Sequence, residues 1–445
     1  MELKAFYKKN SLKEGALVEF DFNGNKVKGT IIPSNEDLLM VKLASGYNAG
    51  FELEKIKSIK SLGESKSVGK AKIIEMKKNP SLPTIAVLHT GGTIASRIDY
   101  RTGGVFASFT PEDLHTMFPE LGKIANFEPR LLRKMWSDDF RFSHFTFIAK
   151  EIEKEVQKGV DGIILGMGTD NLAVAAAAIT FAIEKCPLPI IIVGAQRSSD
   201  RGSSDAAMNL LCAANFITKT DFSGVAVCMH NSSNDDVCAI LPPCKTRKMH
   251  TSRRDAFKAI NDTPIALVDY RNNKIEFIKK DYQKKNKKEK LVIKPNFEPR
   301  VAVLKITINM FPEQFKFYTK EKFKGLVIEG TGLGQTPGHL PDEITEKEGH
   351  KEFFPAIKEF VDKGGIAAMT SQCINGRVHM HVYDKAIDLV TLGVIPGEDM
   401  LTETAFVKLA WLLGNYKAEE AKKLMQKNLR GEITPFTRTD TYVFE

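Results

Sequence analysis

Three side chains able to assemble a nucleophile stand at the ends of two short apolar runs. Ile85-Ala86-Val87-Leu88 leads into His89-Thr90-Gly91-Gly92-Thr93-Ile94-Ala95-Ser96. Gly162-Ile163-Ile164-Leu165 leads into Gly166-Met167-Gly168-Thr169-Asp170. Each reads as a buried strand emptying into a glycine turn, the place where an α/β sheet delivers side chains into a crevice. Paired glycines let a backbone bend sharply and bring its N–H groups close to a ligand. A hydroxyl at Thr93, a second at Thr169 and a carboxylate at Asp170 then converge from two strand ends. This is the chemistry of a hydrolytic enzyme.

A threonine hydroxyl is hardly ionised at neutral pH and needs a base or a relay. Asp170 is one candidate and Lys248 another. Lys248 lies in the polar run Lys245-Thr246-Arg247-Lys248-Met249-His250-Thr251-Ser252-Arg253-Arg254. Desolvation lowers a lysine pKa and a neighbouring carboxylate raises it. Spacing alone leaves that balance open, and leaves Lys248 open to being a surface charge. Gly330-Thr331-Gly332-Leu333-Gly334 is glycine-rich but lacks the Lys-Ser/Thr ending of a phosphate loop, and no G-x-G-x-x-G opens a dinucleotide unit. The sequence therefore predicts no ATP site and no resident cofactor or metal. Cys186, Cys212, Cys228, Cys238, Cys244 and Cys373 form no C-x-x-C pair and read as buried or incidental thiols. The close pair Cys238 and Cys244 leaves a zinc or disulfide role open.

Several elements must position these groups. The chain has 445 residues, enough for two or three domains, with 42% hydrophobic and 27% charged residues. The formal net charge of +9 permits attraction to an anionic partner such as RNA without requiring one. No apolar run reaches membrane-spanning length and no signal segment follows Met1, so a cytoplasmic protein without membrane contact is expected. Alternating residues separated by glycine turns up to about residue 62 predict a small SH3-like β-barrel, with its linker closing a first domain at 1–75. Residues 76–278 alternate strands (Ile85–Leu88, Gly162–Leu165, Ile190–Val193, Val225–Cys228) with helices (Phe145–Gln157, Leu172–Glu184), predicting a parallel sheet covered on both faces. A lysine-rich connector over 279–297 reads as exposed. A second, smaller α/β domain over 298–445 has strands Val301–Ile306, Leu326–Glu329 and Gly365–Met369.

The combination of Thr90-Gly91-Gly92-Thr93-Ile94-Ala95, Gly168-Thr169-Asp170 and Lys248-Met249-His250-Thr251-Ser252 resembles the asparaginase/glutaminase family. Each motif is short; the three in this order are specific. The resemblance implies a two-domain α/β fold whose active site lies at the carboxyl edge of the first sheet, near a neighbouring copy of the chain. It implies Thr93 as nucleophile, with Thr169, Asp170 and Lys248 as the relay. It maps substrate binding to Ser137 and Asp138 in Trp136-Ser137-Asp138-Asp139, and a lid tyrosine to Tyr100. Backbone N–H groups near Gly92 and Thr169 are candidates to hold the developing oxyanion.

Further segments resemble one branch, the archaeal GatD chains of glutamyl-tRNA(Gln) amidotransferase. They are Val193–Arg201, Ser203–Leu210, Lys248–Phe257, Gly330–Gly334, Gly397–Leu401 and the N-terminal β region with Gly46-Tyr47-Asn48. That branch implies an amide-donor chain that releases ammonia from glutamine or asparagine. A separate partner chain, GatE, would use ATP and Mg²⁺ to convert Glu-tRNA(Gln) to Gln-tRNA(Gln), and would make most of the tRNA contacts. A homodimer of this chain with two copies of GatE, a D2E2 heterotetramer, is implied. Free cytoplasmic L-asparaginase and a catalytically inactive scaffold are the alternatives. Met167 stands where the family usually has histidine, and Asn171 where it usually has threonine. Gly202 replaces the branch's common proline and Gln335 its favoured histidine.

Overall fold

A computed structural model of the protein describes residues 2–34, 37–43, 48–64, 78–92, 96–98, 105–107, 119–199, 203–286 and 288–442. The first region opens with a helix, Leu3–Lys9, that the alternating pattern does not signal. Five strands follow: β1 (Ala16–Phe22), β2 (Asn25–Ile31), β3 (Leu38–Leu43), β4 (Asn48–Glu52) and β5 (Ile56–Glu64). They form one antiparallel sheet in the order β4-β3-β2-β1-β5, with a single 3-10 turn, Leu53–Lys55, between its two outer strands. No ladder among the described residues joins β4 to β5. Phe6 from the helix, Val18, Phe20, Ile31, Leu39 and Val41 fill its core.

The next domain begins with β6 (Thr84–His89), followed by a short antiparallel pair, β7 (Ser96–Ile98) and β8 (Val105–Ala107). Then come β9 (Asn126–Leu131), β10 (Gly162–Gly166), β11 (Ile183–Lys185), β12 (Pro189–Val193), β13 (Gly224–His230), β14 (Val237–Leu241), β15 (Thr246–Lys248), β16 (Phe257–Ala259), β17 (Ala266–Asp269) and β18 (Lys274–Phe277). The main sheet runs β18-β17-β14-β13-β12-β10-β6-β9. Its half from β13 to β9 is parallel, as expected. From β13 to β18 the pairs are antiparallel, so the sheet is mixed. Every residue of β10 and β12 is buried, which follows from helices covering both faces.

The alanine-rich helix is shorter than its composition suggests. It covers Leu172–Ala182, after which β11 pairs with β19 (Val292–Ile293). The β-branched Ile183 begins that ribbon. Apolar on all sides, the helix belongs in an interior. It packs against the helix Thr402–Asn415 of the second α/β domain, and Phe181 meets Trp411 at a 5.5 Å ring separation. One apolar cluster therefore contains residues of both α/β domains, among them Ile163, Ile190, Val327 and Trp411.

The lysine-rich connector is largely exposed, as expected, and is anchored to the domain at several points. Tyr282 stacks on Phe277 at 4.3 Å and donates to Asp221 at 2.8 Å, while the Gln283 carbonyl accepts from Ser223 N–H at 2.7 Å. Lys285 folds back onto the domain, its Nζ donating to the Ile217 carbonyl at 2.6 Å. The second α/β domain holds a four-stranded parallel sheet of β20 (Val301–Lys305), β21 (Gly325–Gly330), β22 (Ile366–Ser371) and β23 (Ile395–Pro396). Among the described residues no helix is long and apolar enough to cross a membrane.

Candidate active site

Strand register brings the site together. His89 of β6 lies beside Gly166 of β10, and Gly166 beside Val193 of β12. The three loops that follow, beginning at Thr90, Met167 and Gly194, therefore leave one edge of the sheet side by side. Thr90 N–H donates to the Gly166 carbonyl and Met167 N–H to that of Val193, both at 3.1 Å.

The glycines in these loops answer to close approach. Gly91 and Gly92 have φ of 96° and 80°, a left-handed region that favours glycine. A β-carbon on Gly91 would fall 3.0 Å from the Met135 carbonyl oxygen, and one on Gly92 would fall 2.4 Å from the Gly168 nitrogen. The first motif can thus press its backbone onto the second. Thr93 and Tyr100 lie outside the described residues, as do Gly46, Tyr47 and Gly202.

Thr169 is buried, and its Oγ1 accepts a hydrogen bond from Lys248 Nζ at 3.0 Å. The same ammonium donates to Asp170 Oδ1 at 2.8 Å. The Lys248 side chain is 16% exposed and that of Asp170 is 72% exposed. A hydroxyl, an ammonium and a carboxylate thus form one chain running from the interior to solvent, suited to carrying a proton. Lys248 reaches this point because it ends β15, whose hairpin with β16 pairs Lys248 with Phe257.

Ser137 is buried in the 3-10 turn Ser137–Asp139, while Asp138 in the same turn is exposed. Ser137 Oγ accepts from Asn171 N–H at 3.3 Å, and Asn171 Nδ2 donates to the Ser137 carbonyl at 2.9 Å. The structure thus brings Gly92, Ser137, Thr169, Asp170 and Lys248 to one edge. Asn171 braces Ser137, a task its residue type alone does not reveal. Met167 points elsewhere: its side chain is fully buried in the apolar cluster shared by the two α/β domains.

Sequence reasoning misses other groups. Asp205, fully buried, accepts from the backbone N–H of Gln196 at 3.0 Å and of Arg197 at 3.1 Å, and so fixes the third loop. Gly194 in that loop sits so close to Thr169 that a β-carbon would fall 2.8 Å from its methyl. Lys245, which reads as part of a polar run, is fully buried against Asp399. The signal for Asp399 is its place in the branch-specific segment Gly397–Leu401. All six cysteines are free, and Cys186, Cys212, Cys228, Cys238 and Cys244 are buried. Burial pushes the Cys186 thiol up to about 11, which makes it unreactive at neutral pH. Among the described residues no three His, Cys, Asp or Glu side chains gather as a metal site.

Comparison with known proteins matches three family models: the GatD N-terminal domain over residues 12–62, the N-terminal asparaginase domain over 84–283, and the glutaminase/asparaginase C-terminal domain over 300–425. The chain is 42% identical to the GatD chain of the Pyrococcus furiosus glutamyl-tRNA(Gln) amidotransferase, across 100% of both chains. It is 41% identical to that of Methanococcus maripaludis, across 94% of this chain and 97% of the relative. Among solved structures, the L-asparaginase of Thermococcus kodakarensis superposes with a TM-score of 0.68 at 27% identity, covering 79% of this chain and 99% of its own. L-asparaginase I of Vibrio cholerae gives 0.68 at 25% identity, covering 80% and 100%.

Proposed function

This chain belongs to the GatD family of glutamyl-tRNA(Gln) amidotransferases, and on that premise we propose how it works. It is the amide-donor component of a tRNA-dependent amidotransferase and hydrolyses a side-chain amide. The Thr93 hydroxyl attacks the amide carbon of glutamine or asparagine. Lys248, having passed a proton to Asp170, takes up the Thr93 proton by way of Thr169, and the relay returns one to the leaving nitrogen, which departs as ammonia. Water then cleaves the acyl-threonine ester and regenerates Thr93. Backbone N–H groups at Gly92 and Thr169 face the oxyanion, Ser137 and Asp138 hold the donor's polar end, and Tyr100 closes the site.

The observation that carries this reading is the Lys248 ammonium, bonded to both Thr169 and Asp170 at the strand edge where Gly92 meets Gly168. Lys248 is the least expected member on sequence grounds, and its contacts are those a relay requires. The full-length likeness to GatD relatives, against four-fifths coverage by the L-asparaginases, favours the complex over a free asparaginase. We divide the chain into a β region and linker through residue 75, an α/β domain over 76–278, a connector over 279–297 and a second α/β domain over 298–445; the three family models, over 12–62, 84–283 and 300–425, fall close to these bounds.

The protein works as one component of a complex. We assign ATP and Mg²⁺ to GatE, which activates the glutamyl group of Glu-tRNA(Gln) and receives the ammonia, in a D2E2 assembly around a homodimer of this chain. Free ammonia would be protonated and diluted in water, so a protected path between the two sites is part of this reading. The test is amide release by the purified chain with and without GatE, ATP and Glu-tRNA(Gln). Strong stimulation, with the amide nitrogen recovered on the tRNA, is expected. Rapid tRNA-independent asparagine hydrolysis with no binding to GatE would replace this reading with a free asparaginase.

A further inference from the structure

The segment that carries Lys248 is gripped at three points by one short stretch of the second α/β domain. The Cys244 carbonyl accepts from Thr404 Oγ1 at 2.8 Å. Lys245 Nζ donates to Asp399 Oδ2 at 2.8 Å and to the Asp399 carbonyl at 2.9 Å. Arg247 Nη1 donates to Glu403 Oε2 at 3.1 Å. Residues 399–404 thus touch positions 244, 245 and 247, and Lys248 is the next residue.

The middle grip is the unusual one. The side chains of Lys245 and Asp399 are 0% and 1% exposed. Removing two charges from water is costly, and an apolar pair of similar volume is often at least as stable. A buried pair is therefore poor evidence for stability and better evidence for fixed geometry. This one is fully furnished for that task. Asp399 Oδ1 accepts from Thr434 N–H at 2.9 Å, and Oδ2 also accepts from the Thr434 hydroxyl. The Asp399 carbonyl takes a further bond from Asn261 Nδ2 at 3.2 Å. On the other side, the Lys245 carbonyl accepts from Ile260 N–H at 2.8 Å. Burial pulls the Lys245 ammonium below its ordinary pKa, and the Asp399 charge opposes that pull.

We propose that Asp399 is a positioning residue for amide release: through Lys245 it sets the depth and register of β15, and so holds the Lys248 ammonium between Thr169 and Asp170. Asp399 touches no reacting atom. The proposal rests on the reading of Thr169, Asp170 and Lys248 as the relay. It makes the second α/β domain, and the C-terminal segment around Thr434, part of the apparatus that aligns a side chain of the first.

The experiment uses the full chain and measures ammonia release. Lys245→Met/Asp399→Leu removes both charges together and leaves no unpaired ion in the interior. If Asp399 positions Lys248, this variant melts close to wild type, loses at least about tenfold in kcat and keeps KM within about threefold, because small misplacements of a catalytic group are expensive. A folded variant with wild-type kcat would overturn the proposal. Should the variant fail to fold, Asp399→Glu keeps both buried charges and lengthens the link between Asp399 and Lys245 by a methylene. A kcat lowered about threefold or more at unchanged KM supports positioning there, and wild-type kcat overturns it. Thr169→Val, assayed in parallel, separates the two ideas. If it stays active, the relay reading itself fails; if it is inactive while the grip variants are normal, only the positioning role of Asp399 fails.

Discussion

Gly92 and Gly168 lie backbone against backbone, so near that a β-carbon on Gly92 would fall 2.4 Å from the Gly168 nitrogen. This contact joins the two motifs on which the proposed chemistry depends, and the residue after each glycine is a threonine. Gly92 is also at a φ of 80°, where any other residue is strained. Gly92→Ala is therefore expected to reduce amide release by at least about a hundredfold while the far ends of the sheet stay folded. Steady-state kinetics together with circular dichroism checks this. A folded Gly92→Ala chain with normal kcat would mean that the two loops need not touch.

The groups of the proposed relay would act as a unit, so their losses should not add. Lys248→Met and Thr169→Val should each cost about a thousandfold or more in kcat, and the double variant little beyond either single one. Independent, multiplying losses would show that Lys248 and Thr169 serve separate steps, despite the 3.0 Å bond between them.

These positions also show what the sequence can reveal. Thr169 and Asp170 are legible because an apolar run followed by a glycine turn specifies a strand end. The register of β6, β10 and β12 then sets their loops side by side. The antiparallel half of the main sheet is not legible, because short buried strands such as Val237–Leu241 look alike whichever way they run. The switch from helix to strand at Ile183 is hidden within a continuous apolar stretch. Lys245 escapes for a different reason. Its burial depends on Asp399, 154 positions away, and no local pattern encodes a partner at that distance.

Asn171 braces Ser137 through a side-chain bond of 2.9 Å. Replacing it with alanine removes one partly buried hydrogen bond, worth about 1 kcal/mol. Because Ser137 is proposed to bind the donor, the loss should appear as a roughly threefold to tenfold rise in KM for the amide donor, with kcat nearly unchanged. A fall in kcat at constant KM would instead place Asn171 with the relay.

The loop after Lys248 carries its own pH signature. Two hydrogen bonds from Arg253, both 2.9 Å, hold the Asp255 carboxyl below the usual carboxylate range, with Lys258 adding to the effect and burial opposing it. A carboxylate with a depressed folded pKa contributes stability that is fully present above its unfolded value of about 3.9 and is lost as pH falls through the folded value. Asp255→Asn should therefore lower the melting temperature at pH 7, and the gap from wild type should close as pH drops below about 3.9. A gap that stays constant across that range would show that Asp255 ionisation does not contribute.

Amide release at the edge where Thr93 follows the Gly91-Gly92 turn, with the ammonia passed to a separate site, has one most direct test. It is Gln-tRNA(Gln) formation by the complex assembled with Thr93→Ala, supplied either with glutamine and asparagine or with an ammonium salt. The expected result is no product from either amide donor and near wild-type product from ammonium, because only the donor half-reaction is lost. Amide-dependent product at the wild-type rate from the Thr93→Ala complex would contradict both the nucleophile and the division of labour built on it.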